Sequence, residues 1–370
     1  MWQGREIVPC TLAFLAGNAL GSMFMFPPSV LLALSMVCAA WALSRPGWVP
    51  ILTCFLLLGA ASLQTGRMPP VREASAISLW ASGCKASFSD WLAGLVPEGD
   101  ELAVLRALSI GDRSGLSWDL KEAYRGSGAM HLLALSGLHV GLIYALLVRL
   151  LSPLGGHRAA RLARSAVTLA LLGAYALVSG LSPSICRAVT MISVYEISGL
   201  ISGDRDGLSA LAGSALVLMI ADPEVTRDIG FQLSYTAVLS ILLIHPWLKS
   251  RLQTRSRLLR TVWELLSVSL CCQATCGVLA WWYFGTFPRY FMLTTLTAIP
   301  LTTAVMYAIA AAVGSAGLAS LVANYLSGGP GLSDVSWLYS FLSILSDTSA
   351  SVLTWLLRLL NTIIRLIASL

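Results

Sequence analysis

The chain has 370 residues, of which 56% are hydrophobic and only 11% charged. A soluble domain carries roughly 25% charged residues, so a water-soluble globular protein is excluded and a polytopic membrane protein is expected. Basic residues outnumber acidic ones by 24 to 18, a net charge of +6 that is expected mainly to orient the chain in a bilayer.

Apolar runs of spanning length fall near 7–25, 29–44 and 48–65. No charged start with an Ala-x-Ala site precedes them, so the first run reads as a retained anchor. The long polar stretch 66–130 follows, with seven basic and eight acidic residues. Within it a helix near 73–95 carries Ile77, Leu79, Trp80, Phe88, Trp91, Leu92, Leu95 and Val96. That pattern predicts an amphipathic helix lying on a membrane surface. A second helix over 100–110 is capped by Asp100 and stopped by Gly111, and a third short one follows Ser117. Further spans are predicted at 131–151, 164–181, 184–201, 207–222, 229–247, 262–284 and 289–313. After a Gly/Ser-rich break at Ser327–Gly331, one or two apolar helices complete 315–370. The expected fold is therefore an all-α polytopic transmembrane helical bundle of about 10–12 spans, with short amphipathic helices outside the bilayer. Four units are expected: 1–66, 67–130, 131–315 and 316–370.

Charge placement tests this layout. Arg149, Arg158, Arg161 and Arg164 crowd one loop, and Lys249, Arg251, Arg255, Arg257 and Arg260 another. Both should be cytoplasmic, and the four predicted crossings between them keep them on one side. Counting back puts the N-terminus and Arg45 inside and 66–130 outside. Eight cysteines are scattered, seven in apolar segments, so neither a disulfide nor a metal site is expected, and no cofactor.

The chemistry gathers in a few places. The run 127–141 places His131, Ser136, Gly137 and His139 beside an apolar segment, where unpaired polar groups are costly. On one continuous helix the two histidines would stand about 80° apart and could share an interhelical space with Ser136. They would then line or brace a polar path near the outer leaflet, or else be satisfied by backbone carbonyls or by the helices of 100–126. A Ser/His hydrolase would need a third group to orient the base; Asp112 could serve, but nothing supplies an oxyanion hole. Arg187, just after Pro183, reads as a phosphate contact, a clamp on Glu196 or Asp228, or a snorkelling side chain. Gln232 and Ser234 suit hydrogen bonds between helices, and Gly137, Gly141, Gly230 and Gly285 suit close backbone approach. A single nucleic-acid strand would need a cationic, aromatic-lined groove. Arg113, Arg125, Arg187 and Arg289 with Trp281, Trp282, Tyr283 and Tyr290 could supply one, although the aromatics also fit an interfacial belt.

Four patches, in matching order and spacing, resemble the membrane domain of the ComEC competence family. They are Leu108-Ser-Ile-Gly-Asp-Arg-Ser-Gly-Leu, with Gly111, Asp112 and Arg113; His131 with Ser136-Gly-Leu-His139; Gly180-Leu-Ser-Pro-Ser-Ile-Cys-Arg-Ala, with Ser182, Pro183, Arg187 and then Met191; and Ala221-Asp-Pro followed by Gly230-Phe231-Gln232-Leu-Ser234. Gln273 and Phe284-Gly285…Pro288 extend the likeness more weakly, while Thr295 stands where relatives often have Asn. The resemblance implies an inner-membrane channel, N-terminus cytoplasmic, that moves single-stranded transforming DNA into the cytoplasm. Full members resemble this chain with an OB-like and a metallo-β-lactamase-like domain added. No His-x-His-x-Asp-His signature occurs here, so the family's nuclease activity is not carried over. Implied partners are single-stranded DNA, the lipid bilayer, a separate nuclease, a periplasmic DNA-binding protein, a cytoplasmic helicase and a second copy in a homodimer. The rivals are a small-molecule permease, whose paired broken helices in related halves are not detected, an intramembrane Ser/His hydrolase and an inactive relative.

Overall fold

The computed structural model describes residues 6–24, 27–44, 48–66, 76–201, 203, 205–252, 254–285, 291–327 and 336–370. Every regular element among them is helical. Six helical stretches are long and apolar enough to cross a membrane, and five shorter apolar helices accompany them. The chain is thus an all-α, multi-pass bundle, because in hydrocarbon a helix satisfies its own backbone.

Helices α1 (Ile7–Met23), α2 (Pro28–Ser44) and α3 (Trp48–Gly66) form an N-terminal unit. Its centre is a backbone-to-backbone crossing. A Cβ on Gly17 would lie 1.8 Å from the Leu56 carbonyl oxygen, and one on Gly59 2.1 Å from that of Phe14. Gly17 and Gly21 are spaced as small residues are in tight membrane-helix pairs. Thr11 then donates to the Ala212 carbonyl at 3.1 Å and Asn18 to that of Pro223 at 2.9 Å, tying α1 to the rest of the bundle.

The segment read as an outer linker contributes to the largest core. It forms α4 (Ala76–Ala93), α5 (Asp100–Ile110), α6 (Trp118–Gly126) and α7 (Met130–Leu133). From Leu102 to Ile110 only Arg106 escapes full burial, so α5 is covered all round. Its cover comes from α4, α7 and α17 (Ser336–Ala368), and Ala298, Val305 and Ile309 of α16 (Phe291–Ser327) belong to the same core. Leu353, Leu357, Leu360 and Ile364 of α17 recur at alternating four- and three-residue steps, which is a single buried seam. Tyr124 donates to Asn361 at 3.0 Å, and Arg358 and Arg365 pair with Glu101 and Asp100. At 37 and 33 residues, α16 and α17 exceed the ~30 Å of a bilayer's hydrocarbon. Part of each therefore packs on protein rather than lipid. Ile77, Leu79 and Trp80 of α4 do stay exposed, as an interfacial face would. The division expected at 315/316 falls inside α16.

Between these parts lie α8 (Gly137–Leu150), α9 (Arg158–Val178), α10 (Pro183–Ile201), α11 (Gly207–Ala221), α12 (Ile229–Leu243), the short α13 (His245–Lys249), α14 (Arg257–Cys272) and α15 (Val278–Phe284). A π-helical turn at Gln273–Gly277 joins α14 to α15. Such turns shift the faces of a helix and are frequent at functional sites.

Candidate functional site

The single helix expected over 131–151 is broken. Ala134 is extended, so His131 stands on α7 and His139 in the first turn of α8. The two histidines therefore do not share a helix face. His131 is exposed, and its Nδ1 meets the Gly128 carbonyl at 3.0 Å. His139 is fully buried. Its Nδ1 accepts the Ser136 backbone N–H at 3.2 Å and lies 2.9 Å from the Ser136 hydroxyl. His139 thus takes the place Glu or Gln has in a capping box, reaching back to the residue that opens the helix. Because Nδ1 accepts a backbone N–H, the ring proton sits on Nε2, which is buried without a partner among the described residues.

The break is packed in place from below. Gly111 ends α5 with φ +70°, and a Cβ there would strike Leu135 at 2.7 Å. Arg113 donates to the Leu133 carbonyl at 3.2 Å. Asp112 accepts the backbone N–H of Ser114 at 3.0 Å and its hydroxyl at 2.7 Å, bonds that hold its carboxyl below the usual carboxylate range. Asp112 therefore serves the turn rather than either imidazole. The 111–113 and 131–139 patches are one structural unit.

Ala188 of α10 faces Gly137, whose Cβ would lie 3.8 Å away. The lead into α10 passes through Leu181 at φ +54°, a strained setting for a non-glycine residue. It is held by a 2.8 Å bond from the Leu181 N–H to Ala176 and by the side chain's packing among Val140, Leu172 and Ile185. Pro183 then opens α10 at a position where its missing N–H costs nothing.

One turn further, Arg187 is 7% exposed. Its Nη1 lies 3.1 Å from Asp228, and its Nε donates to Ser234 at 3.3 Å. Asp228 also caps α12, accepting from Gly230 and Phe231 at 3.2 and 3.0 Å. A Cβ on Gly230 would lie 3.0 Å from Arg187 Nη2, so the glycine makes room for the guanidinium. Of the partners considered for Arg187, the structure selects Asp228. Phe231 is core, stacked on Tyr235 at 4.2 Å. Gln232 donates to the Thr226 carbonyl at 2.9 Å and accepts from Tyr283 at 2.7 Å. Cys276, in the π turn, donates to Leu233 at 3.4 Å, so the turn and α15 rest against the same stretch of α12.

Other candidates stand apart. Arg125 pairs with Glu122 at 3.1 Å on an exposed face. Trp281 and Trp282 are exposed, as a belt requires. Arg289, Tyr290 and Arg45 lie outside the described residues. A second polar cluster, unread as such from the sequence, surrounds Glu196. This buried carboxylate accepts from Tyr144, from Ser165 at 2.6 Å and from Arg205 at 2.9 Å, joining α8, α9 and α10 about 13 Å along α10 from Arg187. An acidic residue inside a predicted span was its signal.

Fold and site define a polytopic helical membrane protein with one polar group at the start of α8 and another where α10 and α12 begin. The chain belongs to the Competence protein family, whose model matches residues 108–370. Among curated proteins it is similar to "ComE operon protein 3" of Bacillus subtilis (strain 168), 34% identical over 144 residues, covering 39% of this chain and 18% of that protein. It is also similar to "Competence protein ComA" of Neisseria gonorrhoeae, 30% identical over 151 residues, 39% of this chain and 21% of that one. A protein of Aquifex aeolicus (strain VF5) without an assigned function is 28% identical over 135 residues, 36% of this chain and 30% of that one. The matched region thus spans less than a third of each relative's length. No solved structure matches.

Proposed function

We propose that this chain is the inner-membrane channel through which one strand of transforming DNA reaches the cytoplasm. The observation that carries this is Arg187, a buried cation held by Asp228 and Ser234 at the start of α12, inside the family-matched region. A polyanion crossing a bilayer needs fixed cationic and hydrogen-bonding groups near the mouth of its path. A separate nuclease, a periplasmic DNA-binding protein and a cytoplasmic helicase supply what the bundle itself does not. The N-terminus is cytoplasmic, and the starts of α8, α10 and α12 face outward. One contact fits the crossing count, though not which side is which: Thr294, at the start of α16, donates to the Ser127 carbonyl ahead of α8. Both ends then lie on one side, as an even number of crossings between them requires.

Deleting the gene and following labelled DNA tests the reading. In the deletion strain, label should stay accessible to added nuclease, and plasmid-borne wild type should restore protection. Unchanged transformation in the deletion strain would refute the channel.

The Ser136–His139 contact of 2.9 Å favours a hydrolase as the second reading. Against it, no third group orients Nε2 among the described residues. Ser136→Ala is expected to cost about 1 kcal/mol, as loss of a helix cap does, and to leave uptake largely intact. Thermal unfolding in detergent and the uptake assay read the two; abolished uptake in a fully folded Ser136→Ala protein would favour the hydrolase.

A further inference from the structure

The turn from α12 through α13 into α14 carries Lys249, Arg251, Arg255, Arg257 and Arg260 against one carboxylate, Glu264, over 245–264. Orientation of the chain explains the charge but not its shape. Lys249, Leu252, Thr254, Arg260 and Trp263 line an open cleft of about 510 Å³ between α13 and α14. The walls are fixed. Trp263 donates its indole N–H to the Leu248 carbonyl at 3.3 Å, and Lys249 is paired with Glu264 at 2.9 Å, which cancels the cleft's negative charge. Arg251 is stacked over Trp247 at 4.3 Å. The Arg260 side chain makes no hydrogen bond or close ion pair among the described residues, although it lies within electrostatic reach of the Lys249-paired Glu264. Thr254 already accepts from Ser256 at 3.3 Å, which leaves its hydroxyl proton to give. His245, within electrostatic reach of Glu264, keeps a buried Nε2 without a partner among the described residues. Trp247, Leu258 and Leu259 are exposed beside the cleft, an apolar rim at the edge of the spanning helices.

We propose that this cleft is a binding site for an anionic glycerophospholipid. Its phosphate sits against Arg260 and Thr254, and its acyl chains run along the rim. Charge complementarity selects the headgroup, and the adjoining apolar side chains select a lipid over a free anion. The second basic loop provides a contrast. The cleft at the start of α9 is lined by Leu154, His157, Ala159, Ala160 and Ala163 and contains no arginine. There, the arginines are only a diffuse charge.

The test uses the full chain purified in a neutral detergent, with native mass spectrometry counting retained lipid. Phosphatidylglycerol should be retained in preference to phosphatidylcholine. Arg260→Ala should weaken retention about fivefold, the effect of one interfacial basic residue. Thr254→Val should weaken it less, and serves alone if Arg260→Ala does not fold. Arg158→Ala, on the other loop, should change nothing. Equal retention of the two lipids, or an equal loss in Arg158→Ala, would reduce the site to general attraction and overturn the proposal. Inorganic phosphate displacing the lipid would make it a free-anion site. A single-stranded oligonucleotide displacing it at lower concentration than the lipid itself would assign the cleft to the nucleic acid. The readout does not involve DNA uptake, so it stands or falls apart from the channel reading.

Discussion

Gly17→Ala and Gly59→Ala should each destabilise the protein by more than about 3 kcal/mol, beyond ordinary overpacking. In an exposed helix interior the same substitution stabilises by roughly 0.5–1 kcal/mol, because alanine loses less backbone freedom on folding. The sign reverses because of what the new methyl group meets. At Gly17 it is the Leu56 carbonyl oxygen at 1.8 Å, and at Gly59 the Phe14 carbonyl oxygen at 2.1 Å. Neither neighbour is a side chain that can change rotamer, so α1 and α3 must move apart along their whole contact. In lipid, helices associate through close packing rather than through a hydrophobic drive, so separation forfeits the main attraction. The loss would spread, because α1 also holds Ala212 and Pro223 through Thr11 and Asn18. Gly83→Ala is the control: a Cβ there meets nothing within 4 Å, and a neutral or stabilising effect is expected. Thermal unfolding in detergent, with membrane abundance in cells, reads all three. A Gly17→Ala protein as stable as Gly83→Ala would refute the close crossing.

What could be read from the sequence follows what a bilayer makes local. The runs 7–25, 29–44, 184–201 and 207–222 correspond to Ile7–Met23, Pro28–Ser44, Pro183–Ile201 and Gly207–Ala221, because length and apolarity alone define a span. Gly111 stopped α5 for the same local reason, whereas Asp100, read as its cap, is the first helical residue: the cap position is Gly99, and the Asp100 carboxylate is taken by Ser117 and Arg365 instead. The burial of α5 was only partly local: α4 and α7 lie next to it in sequence, but α17 packs on it from more than 250 residues away. The seam at 353, 357, 360 and 364 was its one visible sign. The break before Ser136 was hidden because an apolar run fits helix and extended chain alike. Leu135 over Gly111 and Arg113 on Leu133 decide it. Arg187 had two acidic candidates in reach. Asp228 takes it because an N-cap carboxylate already sits at the helix end that Gly230 opens, whereas Glu196 is held by Arg205, Ser165 and Tyr144. The π turn at Gln273 left no mark in composition.

The Arg187–Asp228 pair should respond unequally to loss of its two halves. Arg187 is 7% exposed as a residue, while the Asp228 side chain is 49% exposed. Asp228→Ala strands a buried guanidinium with only Ser234 to bond, and also removes the cap of α12. An unpaired buried charge costs about 3–5 kcal/mol, and a lost cap about 1 more. Arg187→Met leaves a carboxylate that water can reach and that still caps Gly230 and Phe231, so about 1–2 kcal/mol is expected from the lost charge-assisted bond. Combined with Asp228→Asn, which keeps a capping oxygen, Arg187→Met should regain most of the stability lost in the single Asp228 variant, since a neutral pair requires no buried compensation. Uptake of labelled DNA should not return with it. If the cation serves the polyanion, a stable bundle without it remains closed to DNA. Recovery of uptake together with stability would make the pair a clamp between α10 and α12 and nothing more, and would remove the observation on which the channel reading leans.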